Sequence, residues 1–253
     1  MLLIGVNEFI RNLRLDIKHK KDAGKLIHIP EFIKRSFVLL IAGLLASGTA
    51  FTRLATTMEY GEESIRGKSE LTDNIDNKTS GLDKDYATQW SYGIAETMTL
   101  LIPNFHGGAS QGALSMDSEL YKTIKRSPNA KKIIKQVPLY WGDQPIVNGP
   151  TYAGSIVLFL FVFGIFFIKS TIRNWILFAT IMSILLAWGK NFMFLTDLFL
   201  NYFPAYNKFR AVSTILIIAE LTIPLLGFYA LNKLIKDDNL LIVDKKKYLK
   251  LAF

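Results

Sequence analysis

Apolar positions in this chain gather into long unbroken runs, and the polar positions between them cluster just as strongly. The clearest run, "YAGSIVLFLFVFGIFFI", has no polar face to turn toward water, so it reads as a helix surrounded on all sides by apolar material. Four stretches approach the roughly 20 apolar residues that cross a hydrocarbon core about 30 Å thick. They are Ser36 to Phe51, Tyr152 to Ile168, Ile172 to Trp188 and Ala211 to Leu231. The first three are short and would match a bilayer with little tilt or with interfacial anchoring. The pattern predicts an all-α polytopic membrane protein with about four transmembrane helices; buried helices of a large soluble core are the plain alternative.

The segments between these runs differ in character. Residues 1–35 form a basic segment, and its opening "MLLIGVNEFIRNLRLDIKHKK" lacks a signal peptide, because the basic residues follow the apolar part. It is expected to be the inner end of a membrane helix whose beginning is missing. Residues 52–151 are too long for a simple connector and form a loop domain of helical and irregular pieces. Within it "YATQWSYGIAETMTLLIP" predicts two short helices broken at Gly93 and stopped by Pro103. "KTIKRSPNAKKIIKQV" predicts a small basic amphipathic helix. Residues 189–210 are expected to form an external re-entrant or interfacial segment, and residues 232–253 a basic tail. In the first span Ala42, Ala46 and Ala50 recur four apart beside Gly43 and Ser47, a spacing that admits a closely packed neighbour.

Composition sharpens the picture through segregation. Half of the 253 residues are hydrophobic, yet 20% are charged and the net charge is +9, with a mean hydropathy of +0.25. Basic residues stand before the first span (Arg11, Arg14, Lys18, Lys20, Lys21, Lys25, Lys34, Arg35), between the second and third (Lys169, Arg173) and after the fourth (Lys233, Lys236, Lys245 to Lys247). Lys and Arg near span ends set orientation, so these segments face the cytoplasm and the long loop lies outside. The loop's own basic residues are balanced by about as many acids. The charge is explained by anionic headgroups, without nucleic acid. With no cysteine, disulfides and thiolate metal sites are excluded.

Candidate chemistry follows from where polar side chains interrupt apolar surroundings. Glu220 lies near the middle of "AVSTILIIAELTIPLLGFYAL", where a carboxylate is costly unless protonated, paired or facing water. Either it handles a proton or polar substrate, or it bonds a neighbouring helix or carbonyls freed by Pro224. Lys190 with Asn191, and Lys208 with Arg210, bracket the break between the third and fourth spans. Cations so placed would bind a phosphate, Arg as a fork and Lys as a point charge, or would merely snorkel to headgroups. In the loop, Trp90, Tyr92, Tyr140 and Trp141 could stack on a sugar ring, with Glu96, Asp143 and Gln144 bonding its hydroxyls; aromatic residues also form interfacial belts. His106 has no partner at metal-ligand spacing, and no metal site is expected. "NKT" at Asn77 is a glycosylation sequon only in a eukaryotic secretory setting.

The stretches "RGKSELT", "YATQWSYGIAETMTLLIPNFHGGAS", "YWGDQP", "AWGKNFM", "YNKFRAVS" and "AELTIPLLG" together resemble the YfhO-type bacterial membrane proteins, particularly the long forms of Bacteroidetes. The family is similar to the type C membrane glycosyltransferases. The resemblance implies glycosylation of a cell-envelope polymer at the outer face of the bacterial cytoplasmic membrane, from a polyprenyl-phosphate-linked sugar. No resident cofactor is implied. A carboxylate would activate the acceptor hydroxyl and cations would stabilise the departing phosphate. Such enzymes carry the catalytic acid in the first external loop, and members continue beyond "KKKYLKLAF". The chain is therefore expected to be an inactive internal piece, with no catalytic residue assigned. A transporter or lipid-handling protein, or an envelope scaffold, are the other readings.

Overall fold

The computed structural model of the chain describes residues 2–23, 28–67 and 75–236. Among these the regular structure is helical, with two isolated β-bridges and no strand. The chain divides into two compact units, Met1–Ile65 and Arg66–Phe253.

The first unit holds α1 (Leu2–Ala23), α2 (His28–Thr49) and α3 (Phe51–Glu62). The carboxylate of Asp16, in the middle of α1, is fully buried and accepts from the backbone N–H groups of His28 and Ile29 at 2.8 and 2.7 Å. It thereby satisfies two of the orphan donors of α2 and places a negative charge at the positive end of that helix. Pro30 fits the first turn, where its missing N–H costs nothing. These two features start α2 at His28, eight residues ahead of the apolar run, so Lys34 and Arg35 fall inside the helix. Phe9 and Phe32 meet across the α1–α2 pair with ring centroids 5.9 Å apart. No residue of α2 is buried, and Ala42, Ala46 and Ala50 are exposed together with Phe37, Leu39, Leu44 and Leu45. At Ala50 the axis bends by 73° into α3, which carries the helix beyond the expected end of the span.

The second unit is built on three apolar helices: α7 (Ser155–Phe167), α8 (Thr171–Ala187) and α10 (Ile217–Lys236). Between the first unit and α7 lie α4 (Lys84–Ala87), α5 (Glu119–Ile124), α6 (Ala130–Ile133) and 3₁₀ turns at Ile75–Asn77 and Ala95–Leu100. Gly93 separates α4 from the second of these turns. The basic stretch at 122–137 is broken at Ser127 and Pro128 into two short helices in place of one.

Helix α10 packs against both α7 and α8. Against α7 the approach is set by two glycines: a Cβ on Gly164 would lie 3.1 Å from the carbonyl oxygen of Leu226, and one on Gly227 3.3 Å from the nitrogen of Phe161. Small residues at these positions let the helix backbones approach closely. Against α8 the contact has polar rungs. The hydroxyls of Thr180 and Thr222 lie 2.7 Å apart, and Ser183 donates to the carbonyl of Ile215 at 2.6 Å. Phe163, Ile223 and Leu226 fill the centre, all at most 1% exposed.

One helix, Val212–Lys236, is long and apolar enough to cross a membrane; counting each bent pair as one span raises that to three. The 13 residues of α7 reach only about 20 Å at 1.5 Å per residue, short of a hydrocarbon core. The 17 residues of α8 end at Ala187, and a 111° bend at Trp188 leads into a 3₁₀ turn (Gly189–Phe192) and α9 (Met193–Tyr202). The expected tail lies outside the described residues from position 237 onward, including Lys245 to Lys247.

Candidate functional site

The break between α8 and α10 is fastened to the loop domain through the tripeptide Trp90-Ser91-Tyr92. Tyr92 N–H donates to the carbonyl of Ala187 at 2.8 Å, which satisfies one of the orphan acceptors at the end of α8. Ser91 Oγ accepts from Lys190 N–H at 2.8 Å, and Asn191 Nδ2 donates to the Tyr92 carbonyl at 2.9 Å. Trp90 accepts at its carbonyl from Ser213 N–H at 3.1 Å and donates its indole N–H to Ile146 at 3.1 Å. Three consecutive residues thus hold the end of α8, the turn after it and the approach to α10.

Arg210 lies on this knot. Its guanidinium carbon stands 4.0 Å from the centre of the Trp90 ring and 4.4 Å from that of Tyr86. Nη1 donates to the Tyr86 hydroxyl at 2.7 Å and Nη2 to Gln89 Oε1 at 3.0 Å. A guanidinium has five N–H donors in a planar fork, so a held group with donors to spare remains. The residue is exposed, at the rim of a groove of about 290 Å³ whose walls include Tyr206, Phe209, Val212, Ile215 and Ile217. Ala205 (φ 63°) and Ala211 (φ 67°) take left-handed backbone at either end of the segment that carries it. Alanine in that region is uncommon and strained, a feature that clusters at ligand clamps.

The other predicted cation of this pair has a different task. Lys208 Nζ donates to the carbonyls of Arg66 and Ser80 at 2.6 and 2.8 Å, while Arg66 Nε donates back to the Lys208 carbonyl at 3.1 Å. Asn207 Nδ2 donates to Ser80 Oγ at 2.7 Å. Lys208 therefore pins the loop to the turn. Lys190 is exposed beside Ser91, and its backbone, not its ammonium, makes the bond to the loop. Glu220 is on the exposed face of α10, between Ile217 and Leu221, and does not meet the cations through any hydrogen bond or ion pair among the described residues. Its backbone carbonyl is the one that Pro224, four residues on, leaves without a helical donor.

A second cavity, of about 210 Å³, opens next to the groove, and Thr214 lines both. Its walls include Tyr92, Glu96, Gln144, Thr151 and Ser213. Glu96 is only 2% exposed, and its carboxylate is held by neutral donors: Gly93 N–H at 3.0 Å, Tyr140 hydroxyl at 2.8 Å and Gln144 Nε2 at 3.1 Å. Asp143 is exposed, with Oδ2 3.2 Å from where a Cβ on Gly93 would stand. Trp141 is 69% exposed, and its backbone N–H donates to the His106 carbonyl. Tyr92 is buried against Thr99, whose hydroxyl it meets directly.

Burial pushes the Tyr92 phenol up to about 12 from its usual value near 10, with the Glu96 charge adding to the effect. Burial also raises Tyr140, and so does its hydrogen bond to Glu96. Both groups are held neutral by the fold. Their contribution is fully present below pH 10 and is lost as pH rises toward 12 and beyond. An alkaline titration followed by phenolate absorbance should show a late component that Tyr92→Phe and Tyr140→Phe each reduce. A single titration near pH 10 would contradict this placement.

Sequence reasoning missed Tyr86, Gln89, Ser91, Ser213 and Thr214. The partners of the first four lie about 100 residues or more away in the chain, so no local period marks them; only the density of aromatic and small polar residues around Trp90 hints at the place. Among the described residues no group of three or more His, Asp or Glu side chains could hold a metal ion. Comparison of the chain with protein-family models, with curated proteins and with solved structures gives no match.

Proposed function

We propose that this chain belongs to a multi-pass protein of the bacterial cytoplasmic membrane, of the YfhO type, that binds a polyprenyl-phosphate-linked sugar for transfer to a cell-envelope polymer. One observation carries the reading: Arg210, stacked on Tyr86 and Trp90, stands at the rim of an apolar groove. A fork held over aromatic rings is preorganised for a phosphate, and an adjoining apolar channel suits the hydrocarbon chain attached to it. In this reading the loop domain faces outward and Lys190 adds long-range attraction to the same headgroup. The chain's own part is donor binding; no residue of it is assigned to the chemical step. The exposed apolar faces of α2, α8 and α10 favour lipid as their surroundings, because soluble monomers rarely show such large contiguous patches.

The reading is tested by titrating the purified protein with phosphatidylcholine vesicles containing a polyprenyl phosphate, following Trp fluorescence. Arg210→Ala should weaken binding by about tenfold or more, as expected for loss of a charge-assisted pair. Arg210→Lys should recover only part, since a point charge neither stacks nor forks. Wild-type affinity in Arg210→Ala would overturn the assignment. A lipid-handling or transport role is favoured by one separate feature, the 111° break between α8 and α9, because discontinuous helices form substrate sites in transporters. Uptake of a labelled lipid or solute into proteoliposomes, without sugar transfer, would select that reading.

A further inference from the structure

The cavity beside Arg210 has a charge that the donor reading does not use. Its one ionisable acid, Glu96, is buried with three neutral donors and makes no ion pair among the described residues. A carboxylate has about four lone-pair positions, so one acceptor position stays open. Asp143 brings a second carboxylate near Glu96, outside the cavity wall: its Oδ2 and Glu96 Oε2 lie 3.2 and 3.4 Å from the position a Cβ on Gly93 would take. Glycine at 93 keeps that space clear. Asp143 also makes no ion pair among the described residues. The Glu96 carboxylate in the wall of a small polar cavity, with Asp143 nearby across Gly93, leaves an uncompensated negative potential, which favours a positively charged occupant.

We infer that this cavity binds the protonated amine of an amino sugar. The remaining walls fit the rest of such a ring. Tyr92 offers an aromatic surface, and Gln144, Thr151, Ser213 and Thr214 offer donors and acceptors for hydroxyls. At about 210 Å³ the space is below the usual range for drug-sized ligands and suits a single ring. Because Thr214 lines both this cavity and the groove at Arg210, one lipid-linked molecule can place its phosphate at the guanidinium and its amine at Glu96. The inference deepens the donor reading and rests on it for the source of the sugar, but the cavity can be probed alone.

The test is calorimetric titration of the full chain in detergent with glucosamine, glucose and magnesium chloride, each separately. Glucosamine should bind saturably and about tenfold or more tightly than glucose. Glu96→Gln should abolish that preference. Asp143→Asn, at an exposed position that leaves the buried network intact, should weaken glucosamine severalfold if Glu96→Gln fails to fold. Equal binding of glucose and glucosamine would overturn the inference, as would magnesium binding without glucosamine binding. The two readings fail separately: glucosamine without effect on a protein that binds polyprenyl phosphate removes only the amine site. Glucosamine binding without polyprenyl phosphate binding removes only the donor reading.

Discussion

Replacing Gly189 by alanine should destabilise the second unit by about 3 kcal/mol, through two costs that add at one atom. The residue has φ +48°, where an L side chain crowds its own backbone, at about 1 to 2 kcal/mol. The new methyl would also run into Ser91 Oγ and stand 2.5 Å from Val212 Cγ2. Relief requires the Trp90-Ser91-Tyr92 knot to move away from the end of α8, with loss of the Lys190 to Ser91 bond. Equilibrium unfolding in mixed micelles checks the magnitude. Under the proposed function, Gly189→Ala should also lower polyprenyl phosphate binding, because Trp90 carries one face of the Arg210 stack. A variant as stable as the parent would mean that the turn after α8 is free of the loop.

The second large effect falls on Glu96. Glu96→Leu keeps much of the volume but strands three donors: Gly93 N–H, the Tyr140 hydroxyl and the Gln144 amide. A buried group left without a partner costs about 1 to 3 kcal/mol, and of the three bonds only that to Gly93 is fully buried, so the variant should lose about 3 to 5 kcal/mol in all. Glu96→Gln should lose less, since its amide oxygen still accepts from two of the three. It sets one amide N–H₂ against the Gly93 N–H, and that repulsion keeps it below the parent. The order Leu below Gln below Glu in unfolding free energy is the expected result. Equal stability of all three would show that the carboxylate holds nothing in place. Double substitution of Glu96 with Tyr140→Phe should be less than additive, as for any pair in one hydrogen-bond network.

How much of this was legible beforehand depended on whether the determining contact was local. The apolar runs located α7 and α8 within three residues and α10 within six, because a helix that is apolar all round leaves its mark on every position of the run. The turn between α8 and α10 was marked by Lys190 with Asn191 and Lys208 with Arg210, set between two apolar runs. The start of α2 was not legible, because its capping carboxylate, Asp16, comes from twelve residues upstream on another helix. The first run was drawn to end at Phe51, beside the bend, but the continuation of the chain as α3 was not legible. At the site, charge alone grouped Lys208 with Arg210, yet their partners divide them. One ammonium is spent on two backbone carbonyls and one guanidinium is stacked on rings. That division follows from which loop atoms arrive beside each side chain, and residues 66, 80, 86, 89 and 90 carry no periodic signal that would place them there.

The span of chain joining these partners also governs the order of assembly. Ser91 meets Lys190 across 99 residues and Ser80 meets Lys208 across 128. Ordering such distant segments costs loop-closure entropy before any contact returns it. During synthesis the loop domain emerges first and has to wait until α8, α9 and the approach to α10 are in place. Until then the Trp90-Ser91-Tyr92 segment and the rings of Tyr86 and Trp90 stand without their partners. The groove at Arg210 therefore forms only after the approach to α10 has emerged, and a ribosome-bound chain halted before Arg210 has its aromatic cradle with nothing to hold.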